Sequence, residues 1–192
     1  MHAHPLKSCT VFAGRERIAS GNPSEVALRS KAVVDAGDTR VLLIFDDATA
    51  EVVEMDFRGT AEDMLQRLSG EAPERRPPGR PKLGVVGREV TLLPRHWEWL
   101  NAQPGGASVA LRKLVEQARR VNDTKDRVRR SQDAAFRFMS AIAGNEPGFE
   151  EATRSLFAGD RERFEAHTRP WPTDVRDYAK TLAADAFVGG DV

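Results

Sequence analysis

Residues 85–115 read Val85-Val86-Gly87-Arg88-Glu89-Val90-Thr91-Leu92-Leu93-Pro94-Arg95-His96-Trp97-Glu98-Trp99-Leu100-Asn101-Ala102-Gln103-Pro104-Gly105-Gly106-Ala107-Ser108-Val109-Ala110-Leu111-Arg112-Lys113-Leu114-Val115. Val85–Leu93 has the β-branched and apolar content of a short strand, interrupted at Gly87. Pro94 suits the first position of a helix, because its missing N–H has no acceptor there in any case. That helix places Trp97 and Leu100 on one face. Pro104-Gly105-Gly106 breaks it, and Ser108 is positioned to cap a second helix. Leu111, Leu114, Val115 and Ala118 then recur at helical spacing, in a helix that runs on toward Arg130. Residues 85–130 are therefore expected to form a strand-helix-helix segment, and the chain as a whole an α+β protein.

On the N-terminal side, Ser8–Ala13 and Glu16–Ala19 read as a hairpin turning at Gly14-Arg15. Asn22 caps a helix opened by Pro23, with Val26, Ala27, Val33 and Val34 as its apolar face and Gly37 as its stop. Arg40–Phe45 reads as a buried strand and Asp46–Thr49 as a turn. Glu51–Phe57 alternates polar and apolar residues, as a half-buried strand does. Thr60 caps a helix through Leu68, with Asp63 completing a partial capping box. The expectation is a small ββαββα domain over residues 1–68. Residues 69–84 hold Pro73, Pro77, Pro78 and Pro81 among four glycines and serines, which excludes helix and central strand and leaves an extended basic linker.

On the C-terminal side, residues 131–192 read as a helical region: Gln132–Ala143, Gly148–Phe157, Arg161–His167 and Thr173–Phe187, separated by turn signals. Met139, Ile142, Phe149, Leu156, Phe157 and Phe164 are its expected core. Trp171 between Pro170 and Pro172 suggests a rigid turn that docks the last helix. Residues two apart on a helix diverge by roughly 200°. Trp97 is therefore assigned to the core and Trp99 to a partner surface, and Phe136 and Phe138 diverge likewise.

The 192 residues carry 29 Lys/Arg and 29 Asp/Glu, but the zero net charge hides a strong asymmetry. Counted along the chain, residues 1–70 carry −3, residues 71–130 carry +7 and residues 131–192 carry −4. A basic middle between acidic flanks points to a polyanionic partner; mutual neutralisation within the fold is the alternative. The single cysteine, Cys9, excludes an internal disulfide and suits a reducing compartment. No signal-like segment stands at the start, and the longest strongly apolar run, Val41–Phe45, is far too short to span a bilayer. A cytoplasmic protein with no membrane partner and no cofactor is expected.

Two short segments resemble DNA-binding elements. Pro78-Gly79-Arg80-Pro81-Lys82 resembles the AT-hook, whose flat Gly-Arg-Pro backbone fits a narrow minor groove of strongly negative potential. The resemblance implies Arg80 in the groove, with Arg75, Arg76 and Lys82 on phosphates. Pro78 stands where the hook has its first arginine. Val90–Pro94, Arg95–Gln103 and Gly106–Val115 together resemble the ribbon-helix-helix regulators. That resemblance implies a dimer whose paired strands enter the major groove, with a phosphate held by the amides of Ala107, Ser108 and Val109. The usual alternation of core and reader residues is reversed at Thr91 and Leu92, so the ribbon is either shifted by one residue, a slip that exchanges the strand's faces, or is not a reader. With that shift Arg88 and Thr91 are the base readers, and Arg95, Ser108 and Arg112 complete the expected DNA-binding set.

Over nearly its full length the chain resembles an uncharacterised bacterial family, domain-of-unknown-function family 2239. The resemblance is carried by Gly79-Arg80-Pro81 with Leu83-Gly84-Val85-Val86, by Glu89–Leu100, by Gln103–Ser108, and by Arg137-Phe138-Met139 with Pro147-Gly148-Phe149-Glu150. It implies a bacterial protein and no particular activity.

Catalytic patterns are sparse. His2, His4 and Cys9 lie near the terminus, where an adventitious ion or a frayed end are the readings. Asp46-Asp47 follows a strand and offers either a carboxylate pair or a hairpin turn. His96 stands in the first turn of a helix among aromatics, and His167 precedes a proline turn. No phosphate-cradling glycine loop, paired metal-ligand motif or nucleophile elbow is present. The expected function is a dimeric DNA-binding regulator or nucleoid-associated protein. The alternative is a non-enzymatic dimerisation or interaction module.

Overall fold

A computed structural model of the chain describes residues 6–69 and 87–188. It is an α+β protein whose residues group into two compact units, one of residues 1–71 with 125–192 and one of residues 72–124.

The larger unit is built on a three-stranded antiparallel sheet of order β2-β1-β3, with β1 at Cys9–Ala13, β2 at Glu16–Gly21 and β3 at Leu42–Asp46. Gly14, at φ +59, makes the tight turn between β1 and β2, and a bulge falls between Val11 and Phe12. All five residues of β1 are buried, because both faces of the sheet are covered. Side chains alternate across a strand. Cys9, Val11 and Ile44 therefore pack on one face against Val26 of α1 (Pro23–Asp35). Phe12 and Phe45 point the other way, into a core shared with the C-terminal helices. Asn22 caps α1 through a 2.9 Å bond from the Glu25 amide, as the sequence indicates. Thr60 and Asp63 form the reciprocal cap of α2 (Ala61–Ser69).

Glu51–Phe57, expected as a fourth strand, forms only an isolated bridge from Val52 to Phe45. Ala50 takes a left-handed φ of +50, and the chain then leaves the sheet edge. Val53, Met55 and Phe57 still turn inward against the sheet. The alternation was thus a true signal of one-sided burial, without a hydrogen-bonded ladder.

In the smaller unit α3 spans Pro94–Asn101, and α4 spans Gly106–Ile142, beginning here and ending in the larger unit. Residues 87–93 carry no strand. One 37-residue helix replaces the two expected on either side of residue 131. Nothing between Ala107 and Ala143 is glycine or proline, so no residue stops propagation before Gly144.

The C-terminal helices are α5 (Phe149–Ala158), α6 (Arg161–Thr168) and α7 (Thr173–Leu182), followed by a 3-10 turn at Ala184–Phe187. They cover the Phe12 face together with the end of α4. Phe12, Phe45, Phe138 and Tyr178 form a ring cluster with centroids 4.7–6.3 Å apart. The edge and tilted geometries are those aromatic quadrupoles favour. Trp171 is buried and its indole donates to Pro147 O at 2.9 Å, so the proline-flanked turn does dock this region. Residues 1–68 and 131–192, expected as separate domains, thus share one core. Phe157, expected inside, is 48% exposed and meets Phe136 edge-on at the surface. No helix among the described residues is long and apolar enough to cross a membrane.

Candidate nucleic-acid interface

The unit of residues 72–124 holds ten Lys/Arg and five Asp/Glu, a surplus of five positive charges; the rest of the chain carries the opposite surplus. Four of those ten, Arg75, Arg76, Arg80 and Lys82, with the whole hook-like segment, lie outside the described residues. The other six are Arg88, Arg95, Arg112, Lys113, Arg119 and Arg120.

Two glycines start α4. Gly105 and Gly106 take φ of +87 and +74, a region that side chains rarely adopt, and a Cβ on Gly105 would press on Val109 at 3.1 Å. The helix therefore begins at Gly106, two residues before the expected cap. Ser108 lies inside the first turn, where its carbonyl accepts from Arg112 Nε at 3.1 Å. The Gly106 amide is bonded to Gln103 O. The amides of Ala107, Ser108 and Val109 belong to the first turn, which has no acceptor within the helix.

Between residues 112 and 125 every side chain of α4 is exposed. At 100° per residue, Ala107, Leu111, Leu114, Val115, Ala118 and Val121 fall within about 60° of one line along the helix. Leu114, Val115 and Val121 are 43%, 56% and 73% exposed. Arg112, Lys113, Arg119 and Arg120 all lie on the opposite half of the cylinder, about 100° or more from that line. Their neutralisation is local and light: Glu116 meets Arg119 at 3.3 Å and Arg120 at 4.0 Å, all well exposed. Such pairs are weak and leave the cations available to a stronger polyanion.

Among its described residues the unit buries only Leu100 and Ala110 as apolar side chains. Trp97, assigned to a core from its spacing with Leu100, is 36% exposed and Trp99 53%. Arg88 and Thr91 are exposed in the stretch before α3, as are Arg95 and His96 in its first turn.

The carboxylates and histidines considered for catalysis lie on separate elements: Asp46 and Asp47 at the end of β3, His96 in α3 and His167 in α6. Asp46 closes a turn by accepting from the Ala48 and Thr49 amides at 2.7 and 3.3 Å, which is the hairpin-turn reading. His167 lies at the end of α6, its carbonyl facing Gly148. Among the described residues no three His, Cys, Asp or Glu side chains group as metal ligands. His2 and His4 lie outside them.

Residues 8–183 match one family, described as an uncharacterized protein conserved in bacteria. Neither a curated protein nor a solved structure matches the chain.

Proposed function

Since the chain belongs to that bacterial family, domain-of-unknown-function family 2239, and the family supplies no reaction, we propose from the surface chemistry that it is a dimeric DNA-binding protein. The observation that carries this is the exposed stretch of α4, apolar along one side and cationic along the other. The two sides divide the work. The apolar line pairs with a second copy, because a unit whose described residues bury only two apolar side chains needs a partner to close a core. The cationic side, with Arg112, Lys113, Arg119 and Arg120, faces phosphates. In the dimer, residues 87–93 of two copies pair as a ribbon, a strand pairing that a single chain cannot display. Arg88 and Thr91 then approach base edges, Arg95 adds a phosphate contact, and the arm with Arg75, Arg76, Arg80 and Lys82 adds further cations.

The test is a mobility-shift series on duplex DNA across salt concentration. With the four α4 cations of each subunit alone, about eight phosphates per dimer, affinity falls on the order of 10³–10⁵ between 50 and 200 mM salt, and the further cations steepen the fall. Reversing Arg119 and Arg120 to Glu weakens binding on every sequence. Changing Arg88 or Thr91 alters sequence preference. No shift at the lowest salt overturns the proposal. A dimer that never shifts DNA favours instead a non-enzymatic interaction module, which the exposed Trp99 and the apolar line of α4 also suit.

A further inference from the structure

A cleft of about 930 Å³ opens in the larger unit between the sheet, the turn after β3, the later turns of α4 and α7. Its polar lining is ordered by one carboxylate. Asp47 Oδ1 accepts from Thr10 Oγ1 at 2.7 Å and from Tyr178 Oη at 2.8 Å. Thr10 has a single hydroxyl hydrogen and gives it to Asp47, so Ser20, 2.8 Å away, donates to Thr10. Every hydroxyl hydrogen in this chain runs toward Asp47. What remains for a guest is acceptor capacity: Asp47 Oδ2 and the outward lone pairs of Tyr178 and Ser20. Thr10 and Tyr178 are 1% and 4% exposed, which holds the arrangement rigid.

Three arginines line the same cleft: Arg17 from β2, and Arg127 and Arg130 from α4. Arg127 has Asp185 opposite it, but its Nε is 3.7 Å from that carboxylate, buried, and without a hydrogen-bond acceptor. A buried guanidinium N–H without an acceptor is unfavourable, and a guest oxygen would satisfy it. The side chains of Arg17 and Arg130 make no ion pair or hydrogen bond with any described residue. Two uncompensated guanidiniums and one unsatisfied N–H stand beside a fixed carboxylate acceptor.

We propose that this cleft binds a small phosphate monoester that also carries hydroxyl groups, its phosphate on Arg17, Arg127 and Arg130 and a hydroxyl donating to Asp47. Arg17, Arg127 and Arg130 against Asp47 and Asp185 leave the lining with one net positive charge, which favours an anionic guest. The planar guanidinium donors suit phosphate oxygens in bidentate geometry. An anion without hydroxyls would face the Asp47 carboxylate unscreened, so the acceptor set selects a hydroxylated carrier. The site stands apart from the DNA reading, because its residues lie on other side chains and in the other unit.

The experiment is calorimetric titration of the full chain with ribose 5-phosphate, inorganic phosphate and ribose, with a short DNA duplex as competitor. Saturable binding of ribose 5-phosphate, tighter than phosphate and absent for ribose, is expected. Arg17→Gln and Arg130→Gln, both exposed and with no side-chain hydrogen bond or ion pair to a described residue, each weaken it about tenfold. Asp47→Asn moves the two ligands in opposite senses, improving inorganic phosphate and eroding the preference for the sugar phosphate; a melting curve verifies that this variant folds. Absence of ribose 5-phosphate binding overturns the proposal, as does binding indifferent to both arginine variants. Displacement by the duplex also overturns it, by assigning the cleft to a nucleic-acid backbone.

Discussion

Cys9 opens the central strand with no exposed surface. Burial is the larger cause, and the nearby Asp47 and Asp46 carboxylates add to it, in pushing its thiol up to about 11. Burial first, then the Asp47 carboxylate it donates to, also raises the Tyr178 phenol. Both groups favour their neutral, protonated forms in the folded chain. The thiol's contribution is fully present below its unfolded value near 9 and is lost as pH rises from there toward 11, whereas the phenol's begins to be lost only above its own unfolded value near 10. The melting temperature should fall over that window, and Cys9→Ala should reduce the fall. A thiol reagent at pH 8 should label Cys9 only after denaturation, and rapid labelling of the native chain would refute its burial. Phe138 offers the packing counterpart: it is fully buried and touches three other rings. Phe138→Ala should destabilise by about 3–5 kcal/mol in a denaturant titration, and Phe136→Ala, on the surface, by much less. The divergence of Phe136 and Phe138 was legible from helical spacing. That Trp97 would stay exposed was not. Spacing tells which residues share a face, and only the fold tells whether anything covers it.

At the scale of the element, α4 shows what a sequence reading divides wrongly. The helix expected to run on toward Arg130 and the one expected over Gln132–Ala143 are one element, since no glycine or proline stands between them and the first to follow is Gly144. The start was misplaced for the opposite reason: Ser108 has the side chain of a cap, but the paired positive-φ glycines before it leave no room for any other starting point. The apolar line itself was read correctly as far as Ala118, and Val121 extends it. Its exposure makes a clear prediction. Val121→Glu and Leu114→Glu, both at exposed positions, should leave helical circular dichroism unchanged. In sedimentation they should shift the protein from dimer to monomer. Arg120→Glu, on the opposite side, should leave the dimer intact and weaken only DNA binding. Sedimentation of the unaltered chain as a monomer at micromolar concentration would remove the pairing role of this line.

At the scale of the molecule, the sheet and the C-terminal helices were each legible and their union was not. Ser8–Ala13 and Arg40–Phe45 read as strands, and Met139, Leu156 and Phe164 as the core of a helical region. Nothing local states that residues more than a hundred positions apart pack together. The cleft shares this property, since Thr10, Asp47 and Tyr178 are unremarkable singly and acquire meaning only when β1, β3 and α7 meet. The shared core has a direct consequence for folding. A fragment of residues 1–71 keeps the sheet and α1 but loses Phe138, Val175 and Tyr178 from one face, leaving Phe12 and Phe45 exposed to water. Covering rings of this size contributes about 25 cal/mol for each Å² removed from solvent, and a three-stranded sheet covered on one side lacks enough of it. That fragment should show no cooperative thermal transition on its own. Mixed with a fragment of residues 125–192, it should recover near-ultraviolet dichroism from the Phe12–Phe45–Phe138–Tyr178 cluster, and Tyr178→Ala in the second fragment should weaken that recovery. Cooperative melting of residues 1–71 alone would show that the two segments fold as independent domains that merely adjoin.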